Sequence, residues 1–522
     1  MKIKLFSALA IATALFAFSC SKGSSGRDTF TVMTYNIGSL SKYEGCSAEG
    51  IASVIKAENP VIVGLNELDS CNTRHNTYQL KDIADALGSW NCSFSKSLDY
   101  KGGSYGNGVV SKKPIIASYR IELPRFEGSE IRSVAVVETE DMVFAATHLE
   151  HTSRAVSRSQ AAIINDWFAI HYTGYDKPVI LCGDLNSAPS SPTLIELGRL
   201  WNVLSVDDPT HSTENPRSCI DYILSFKTAR EVKVLDSKVV YKEKGVNVAR
   251  ESDHFPVMVK FKVLPKKESL TFVHMTDTQI GFKDETPSWQ LSRDRMHAAV
   301  DVVNAIHPAM AFITGDLIND AYDTLQNRIY VEEKARFTPS IPVYEVPGNH
   351  DIRGYSEDKH AHYMELRGYD RFSIEKEGHA FVGFDTNCIK DGAKKVEEEQ
   401  LEWLEAELAK YAGAKTLNIF IHCPIIRENI YEKEDYFNFP MDKRFKYISL
   451  FKKYGVDAVY AGHTHQDYYS EYEGIKFITA GPVGSPLKLG YTGFNIVNIG
   501  PSGIIAEFVA TPGEGLSQRI TF

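Results

Sequence analysis

The run Val179-Ile180-Leu181-Cys182-Gly183-Asp184-Leu185-Asn186 is apolar until it stops at Gly-Asp, and Ala309-Met310-Ala311-Phe312-Ile313-Thr314-Gly315-Asp316-Leu317 does the same. A short apolar run bounded by a turn signal reads as a strand buried on both faces. Open α/β sheets place their ligands beyond the carboxyl ends of such strands. A carboxylate standing there is a candidate functional group, and this chain has the arrangement twice. The shared Gly-Asp-Leu is not a repeat, because nothing around the two copies aligns.

Working outward, Phe30 to Tyr35, Val61 to Leu65, Val143 to Thr147 and Val257 to Phe261 read as further buried strands of a first block. Ala48 to Ala57 and Leu80 to Leu87 have helical spacing. In a second block the strand candidates are Leu270 to Met275, Ala309 to Thr314, Val343 to Val346, Ala380 to Phe384, Leu417 to Ile421 and Ala458 to Ala461. Glu397 to Tyr411 is a helix with Leu401, Leu404 and Leu408 on one face. The break falls at the polar Pro265-Lys266-Lys267-Glu268. The expected organisation is a leader over 1–20, linkers at 21–28 and 263–269, and domains at 29–262 and 270–522. Each domain has the length of one α/β sandwich.

Apolar residues make up 43% of the chain and charged residues 24%, the balance of a soluble globular protein. A net charge of −10 exerts no long-range pull on a polyanion, so duplex nucleic acid is not a favoured partner; a local basic pocket is compatible with that charge. Lys2 and Lys4 precede an apolar stretch, Leu5 to Phe18, too short to span a bilayer comfortably. Cys20 follows directly, ahead of a Gly/Ser-rich segment. This resembles a bacterial lipoprotein box, with Ala17 where Leu is usual, and implies lipidation at Cys20. The expected location is the cell envelope, as an outer-membrane lipoprotein of a Gram-negative bacterium held by its lipid anchor. An ordinary secretory leader is the alternative. Seven cysteines remain; an odd number leaves at least one free thiol, and a bridge among Cys46, Cys71 and Cys92 stays open.

In the first block polar residues recur where strands end: Asn36, Glu67, His148, Asp184 with Asn186, Asp221, and Asp253-His254. Any one alone is more often a cap or turn residue. Six such positions in order carry more. Together they resemble the endonuclease/exonuclease/phosphatase superfamily, that of DNase I, apurinic endonucleases, inositol polyphosphate 5-phosphatases and bacterial sphingomyelinases. The resemblance covers residues 29 to 262, with Asn66 where Gln is usual. It implies that Glu67 holds Mg²⁺ or Mn²⁺ with Asn36 and Asp253 supporting it, a hard cation on hard oxygen ligands. Asp184 and Asn186 would position the attacking water. His254, held by Asp221, would act as base and charge partner, and His148 would bind or protonate the phosphoryl group. Arg74, Tyr105 and Asn107 resemble substrate-binding positions of members acting on small or lipid-linked esters. Arg74 reads equally as a surface arginine.

The second block carries Asp277-Thr278-Gln279, Gly315-Asp316, Gly348-Asn349-His350-Asp351, His422 and Gly462-His463-Thr464-His465. Two adjacent metals need a bridging carboxylate and separate N/O ligand sets, and these residues supply both. They resemble calcineurin-like metallophosphoesterases over residues 270 to 490. The resemblance implies that Asp277, Gln279, Asp316 and His465 hold one metal, and Asp316, Asn349, His422 and His463 the other. His350, oriented by Asp351, would be the general acid or a phosphate binder. Gln279 stands where His is usual; its harder carbonyl favours Mn²⁺, Mg²⁺ or iron over Zn²⁺.

The fold class expected is α/β, two tandem four-layer α/β/β/α sandwiches of unrelated topology. The function expected is a two-part metal-dependent hydrolase of small or lipid-linked phosphate esters. A secreted nuclease joined to a nucleotidase, or a non-catalytic surface binding lipoprotein, are the alternatives. No feature calls for a protein partner.

Overall fold

A computed structural model describes residues 28–126, 128–282, 289–487 and 490–511. Cys20, most of the first linker and the last residues of the chain lie outside them. In the first domain, one sheet orders its strands Val232–Val239, Val257–Val263, Thr29–Asn36, Ile62–Ser70, Gly103–Ser111, Asn91–Tyr100. The second sheet runs Ala117–Glu122, Ser133–Glu138, Val143–His148, Val179–Asp184, Asp221–Phe226, Trp201–Val203. The sheets stack face to face on an apolar layer that includes Val63, Val109, Phe144, Ala146 and Cys182. Helices Ala48–Glu58 and Gln79–Ala86 cover one outer face through Ile51, Ile55, Leu80 and Ile83, and helix Arg154–Tyr172 covers the other. Ser47 starts the first of these helices by accepting from the Gly50 amide, and Asn59 ends it in the left-handed region.

The second domain repeats the layering with different connections. One sheet is Val343–Val346, Ala311–Thr314, Leu270–Met275, Gly493–Gly500, Gly503–Ala510. The other is Phe372–Lys376, His379–Gly383, Thr416–Phe420, Ala458–Ala461, Ile475–Thr479, Tyr468–Tyr472. Its central layer is aromatic: Phe420 stacks on Phe312 at 3.9 Å and on Tyr460 at 4.8 Å, with Phe272 at 5.9 Å. Helices Lys394–Lys410 and Met441–Tyr454 cover one face, and Gln290–Ile306 and Thr324–Lys334 the other. This is the four-layer α/β class expected, in both halves.

The apolar cluster under helix Arg154–Tyr172 does not stop at the domain boundary. It continues from Ile164 and Phe168 into Met296, Val300 and Val509 of the second domain. Arg199 reaches across as well, with Nη2 3.0 Å from the buried carboxylate of Glu507.

All seven cysteines among the described residues are free. Cys182, inside an apolar run, and Cys423, beside His422, are both buried. Cys46 turns its thiol to the Arg250 carbonyl at 3.3 Å instead of to another sulfur.

Removing the Phe420 ring opens the centre of the aromatic layer. Phe420→Ala is expected to cost about 3–5 kcal/mol, measured by chemical denaturation against a surface control.

Candidate active sites

In the first domain the sheet register assembles the site. His148 pairs with Asp184 on one neighbouring strand, and Asp221 pairs with Asp184 on the other. The facing sheet brings Asn36, and Glu67 at a register shift between Leu65 and Leu68 that re-aims its side chain. Asn66 joins the sheets: its amide nitrogen donates to Asn107 Oδ1 and the Thr147 carbonyl, both at 2.9 Å, and its oxygen accepts from Asp184 N at 3.1 Å.

His254 Nδ1 lies 2.9 Å from Asp221 Oδ2, and its Nε2 is 3.7 Å from Asp184 Oδ2. Burial works against charge on His254, but the carboxylates of Asp221, Asp184 and Asp253 overcome it and raise its pKa. Burial and the Asp221 carboxylate push Asp184 upward. His148 is driven well below its ordinary value by burial and by the Arg132 guanidinium, so it stays neutral. Glu67 and Asp253 converge on one cation already: Lys42 Nζ is 3.8 Å from Glu67 and 3.0 Å from Asp253. An oxygen pair that draws an ammonium suits Mg²⁺ or Mn²⁺.

Three positions differ from expectation in placement. Asn36 turns its amide nitrogen on the cluster, 3.1 Å from Glu67 Oε1 and 3.0 Å from Asp184 Oδ2, while its oxygen accepts from the Gly38 amide. In this orientation it is the amide nitrogen that meets the carboxylates. Asn107 is buried against Asn66 and the Ser133 carbonyl, away from the cavity. Arg74 spends its fork on Asp69, Nε to Oδ2 at 2.7 Å and Nη2 to Oδ1 at 2.8 Å, with the guanidinium over Tyr100. It still lines the cavity, as Tyr105 does.

That cavity measures about 420 Å³ and ends on Glu67, Asp184, Asn186 and His254. Sequence reading missed Lys42, Arg132, His151 and His211 on its wall. Arg132 is almost wholly buried, 2.9 Å from Glu130. A lone Arg or Lys in a loop carries no local signal; only the fold brings these to the site.

In the second domain every expected ligand follows the carboxyl end of a parallel strand or the turn beyond it. Asp316 belongs to two clusters, one with Asp277 and His465, the other with His422 and His463. Each histidine has one ring nitrogen on a backbone carbonyl: His422 Nδ1 on Thr314 at 2.7 Å, His463 Nε2 on Tyr436 at 3.1 Å, His465 Nδ1 on Ser485. The other nitrogen is left for the cluster, the arrangement that fixes the tautomer of a metal ligand. His422 Nε2 lies 3.1 Å from Asn349 Oδ1 and 3.4 Å from Asp316 Oδ1. Burial and the His422 charge press His463 down to about 4. Both amide atoms of Gln279 are buried without a hydrogen-bond partner. Such a group is costly unless something else satisfies it, and a divalent cation would satisfy the oxygen.

His350 is placed otherwise than expected. Its Nδ1 is 2.9 Å from the Asn319 carbonyl, whereas Asp351 caps the backbone amides of Gly348 at 2.8 Å and Leu317 at 3.0 Å. Asp351 therefore shapes the turn, and Asn319 orients the imidazole.

Backbone strain gathers at these positions. Glu67, Asn186, Asp277, Gln279, Asp316, His463 and His465 all have φ between +36° and +68°. Non-glycine residues seldom adopt such values unless surrounding structure imposes them, and they cluster at functional sites. The glycines beside them allow the close approach: a Cβ on Gly348 would stand 2.1 Å from Asp316 N, and one on Gly462 1.8 Å from Thr276 Oγ1.

Both halves thus have the build of a metal-dependent phosphoesterase. Residues 33–254 match the model of the endonuclease/exonuclease/phosphatase family and residues 270–467 that of the calcineurin-like phosphoesterases. Among similar proteins is serine/threonine-protein phosphatase CPPED1 of Rattus norvegicus, 24% identical over 232 residues, 42% of this chain and 74% of that protein. The probable glycerophosphodiester phosphodiesterase GpdQ of Arcobacter nitrofigilis is 27% identical over 166 residues, 30% of this chain and 57% of that protein. A solved endonuclease/exonuclease/phosphatase structure from Beutenbergia cavernae aligns at 23% identity and a TM-score of 0.39, covering 48% of this chain and 75% of that one.

The ligand sets predict unequal metal losses. Glu67→Ala should lose one equivalent of bound divalent metal per chain, and Asp316→Ala, at the shared carboxylate, two. Elemental analysis after desalting checks this; equal losses would contradict the shared role.

Proposed function

We propose that the first domain hydrolyses a phosphodiester or phosphomonoester with one Mg²⁺ or Mn²⁺. The second hydrolyses a phosphomonoester or diester with two divalent metals, Mn, Fe, Mg or Zn. The substrates are small or lipid-linked phosphate esters. The observation that carries the reading is the first cavity. At about 420 Å³ it has the size of a small-molecule site, and its wall bears Lys42 and Arg132. That volume suits a head group or sugar phosphate better than a duplex.

Glu67 and Asp253 hold the first metal, which would neutralise charge on the phosphoryl oxygens. Asp184 and Asn186 position the water. His254, kept protonated by Asp221, Asp184 and Asp253, acts as charge partner more readily than as base. His148, neutral and flanked by Arg132, binds the phosphoryl group. In the second domain Asp277, Gln279, Asp316, Asn349, His422, His463 and His465 hold two metals, and His350 donates the proton to the leaving group. Relatives named as a phosphatase and as a diesterase support both ester types.

We read the two sites as sequential, the first exposing a phosphate that the second removes. A diester substrate should then release inorganic phosphate with the unaltered chain and stop at a monoester with Asn349→Ala. With Glu67→Ala it should stay intact. Phosphate release and chromatography of the organic product measure it, across an oligonucleotide, a phosphoinositide, sphingomyelin and a nucleotide sugar. A monoester that the second site never consumes would end the sequential reading.

The envelope location is proposed from Cys20. Among the described residues no helix is long and apolar enough to cross a membrane. Cys20→Ser is expected to move the protein from the membrane to the soluble fraction without loss of catalysis, followed by fractionation and immunoblotting.

A further inference from the structure

The segment between His422 and helix Met441–Tyr454 is held from below by a buried arginine. Arg444 donates Nε to the Phe439 carbonyl at 2.8 Å and Nη1 to the carbonyls of Ile430 at 3.1 Å and Glu432 at 2.7 Å. The Glu432 carboxylate ties the segment to itself, accepting from Arg427 N at 3.0 Å, Glu428 N at 2.8 Å and Asn438 Nδ2 at 2.9 Å. Nε and Nη1 of this buried guanidinium thus tie down the backbone at Ile430, Glu432 and Phe439, while Nη2 is buried without a partner.

Tyr436 stands on this loop and meets two ligands of one proposed metal. Its carbonyl is 3.1 Å from His463 Nε2, its ring 4.8 Å from the His463 ring, and its hydroxyl accepts from Asn349 Nδ2 at 3.0 Å. Asn349, His422 and His463 are the members of that set that the other metal does not share, and Tyr436 touches two of the three. We infer that Tyr436 is a positioning residue for this metal alone. Its carbonyl keeps the proton of His463 on Nε2 and leaves Nδ1 for the cation. Its hydroxyl holds the Asn349 amide nitrogen outward, so that Oδ1 faces His422. Partners of this kind change metal affinity by about tenfold to a hundredfold when removed.

The inference rests on the two-metal reading of the second site, and the test separates them. In full-length chain carrying Glu67→Ala, to silence the first site, Mn²⁺ is titrated by calorimetry and electron paramagnetic resonance. Two equivalents are expected. Adding Tyr436→Phe, which keeps ring and carbonyl, should weaken one equivalent about tenfold or more and leave the other unchanged, at an unaltered melting temperature. Tyr431→Phe, on the same loop and 74% exposed, should change neither. In the chain with the first site intact, Tyr436→Phe should depress kcat at low Mn²⁺ and recover at high Mn²⁺, with KM little moved. Two affinities identical to those of the parent overturn the role of Tyr436. Fewer than two equivalents before Tyr436 is altered overturn the two-metal reading, and this inference with it.

Discussion

Buried carboxylates crowd together in both domains, and the rest of each site answers that repulsion. Asp184 and Asp221 face each other across neighbouring strands, and Asp316 serves two clusters, one of which also contains Asp277. Uncompensated, such groups would be protonated or would force the sheets apart. Here they are met by histidines, by the Asn36 amide, by backbone amides and by the Lys42 ammonium. The Asn36 amide and the Lys42 ammonium point a positive end at the carboxylates, as a bound cation would, whereas the histidines of the second site turn a free ring nitrogen toward theirs. The same clusters are the ones whose donor atoms lie close enough together to hold a metal ion.

The geometry that brings those carboxylates together comes from backbone the chain would not adopt freely. Left-handed residues at the strand ends turn side chains inward that an extended strand would send to alternate faces. The glycines beside them let two backbones approach to distances no other residue permits. The strain is tolerable because the sandwiches behind are densely apolar, the first on Val and Ile, the second on stacked aromatic rings.

Much of this was legible in the sequence, for a physical reason. A strand buried on both faces must be apolar, so a polar residue where it ends stands out, and Asp184, Asp316 and His422 did. Exposed or half-buried strands gave no such contrast: Asn91–Tyr100 and Val232–Val239 alternate weakly and were not expected. Helix Arg154–Tyr172 was missed because Ser and Gln interrupt its apolar stripe, and those polar residues are buried and hydrogen-bonded. Orientation was the other gap. Sequence can say that Asp351 follows His350, but not that its carboxylate turns to the backbone of Leu317 while the Asn319 carbonyl takes the imidazole. Lys42 and Arg132 come from loops or strand edges and acquire meaning only from what the fold sets opposite them.

The apolar cluster that runs from Phe168 into Val300 and Val509 bears on how this chain exists as a unit. Were the two halves beads on a string, cutting the joint would release two intact enzymes. With a common interior, a cut there would bare hydrophobic surface on both pieces, and damage to one half would propagate to its neighbour. The two domains are thereby locked at a ratio of one to one, through synthesis and turnover.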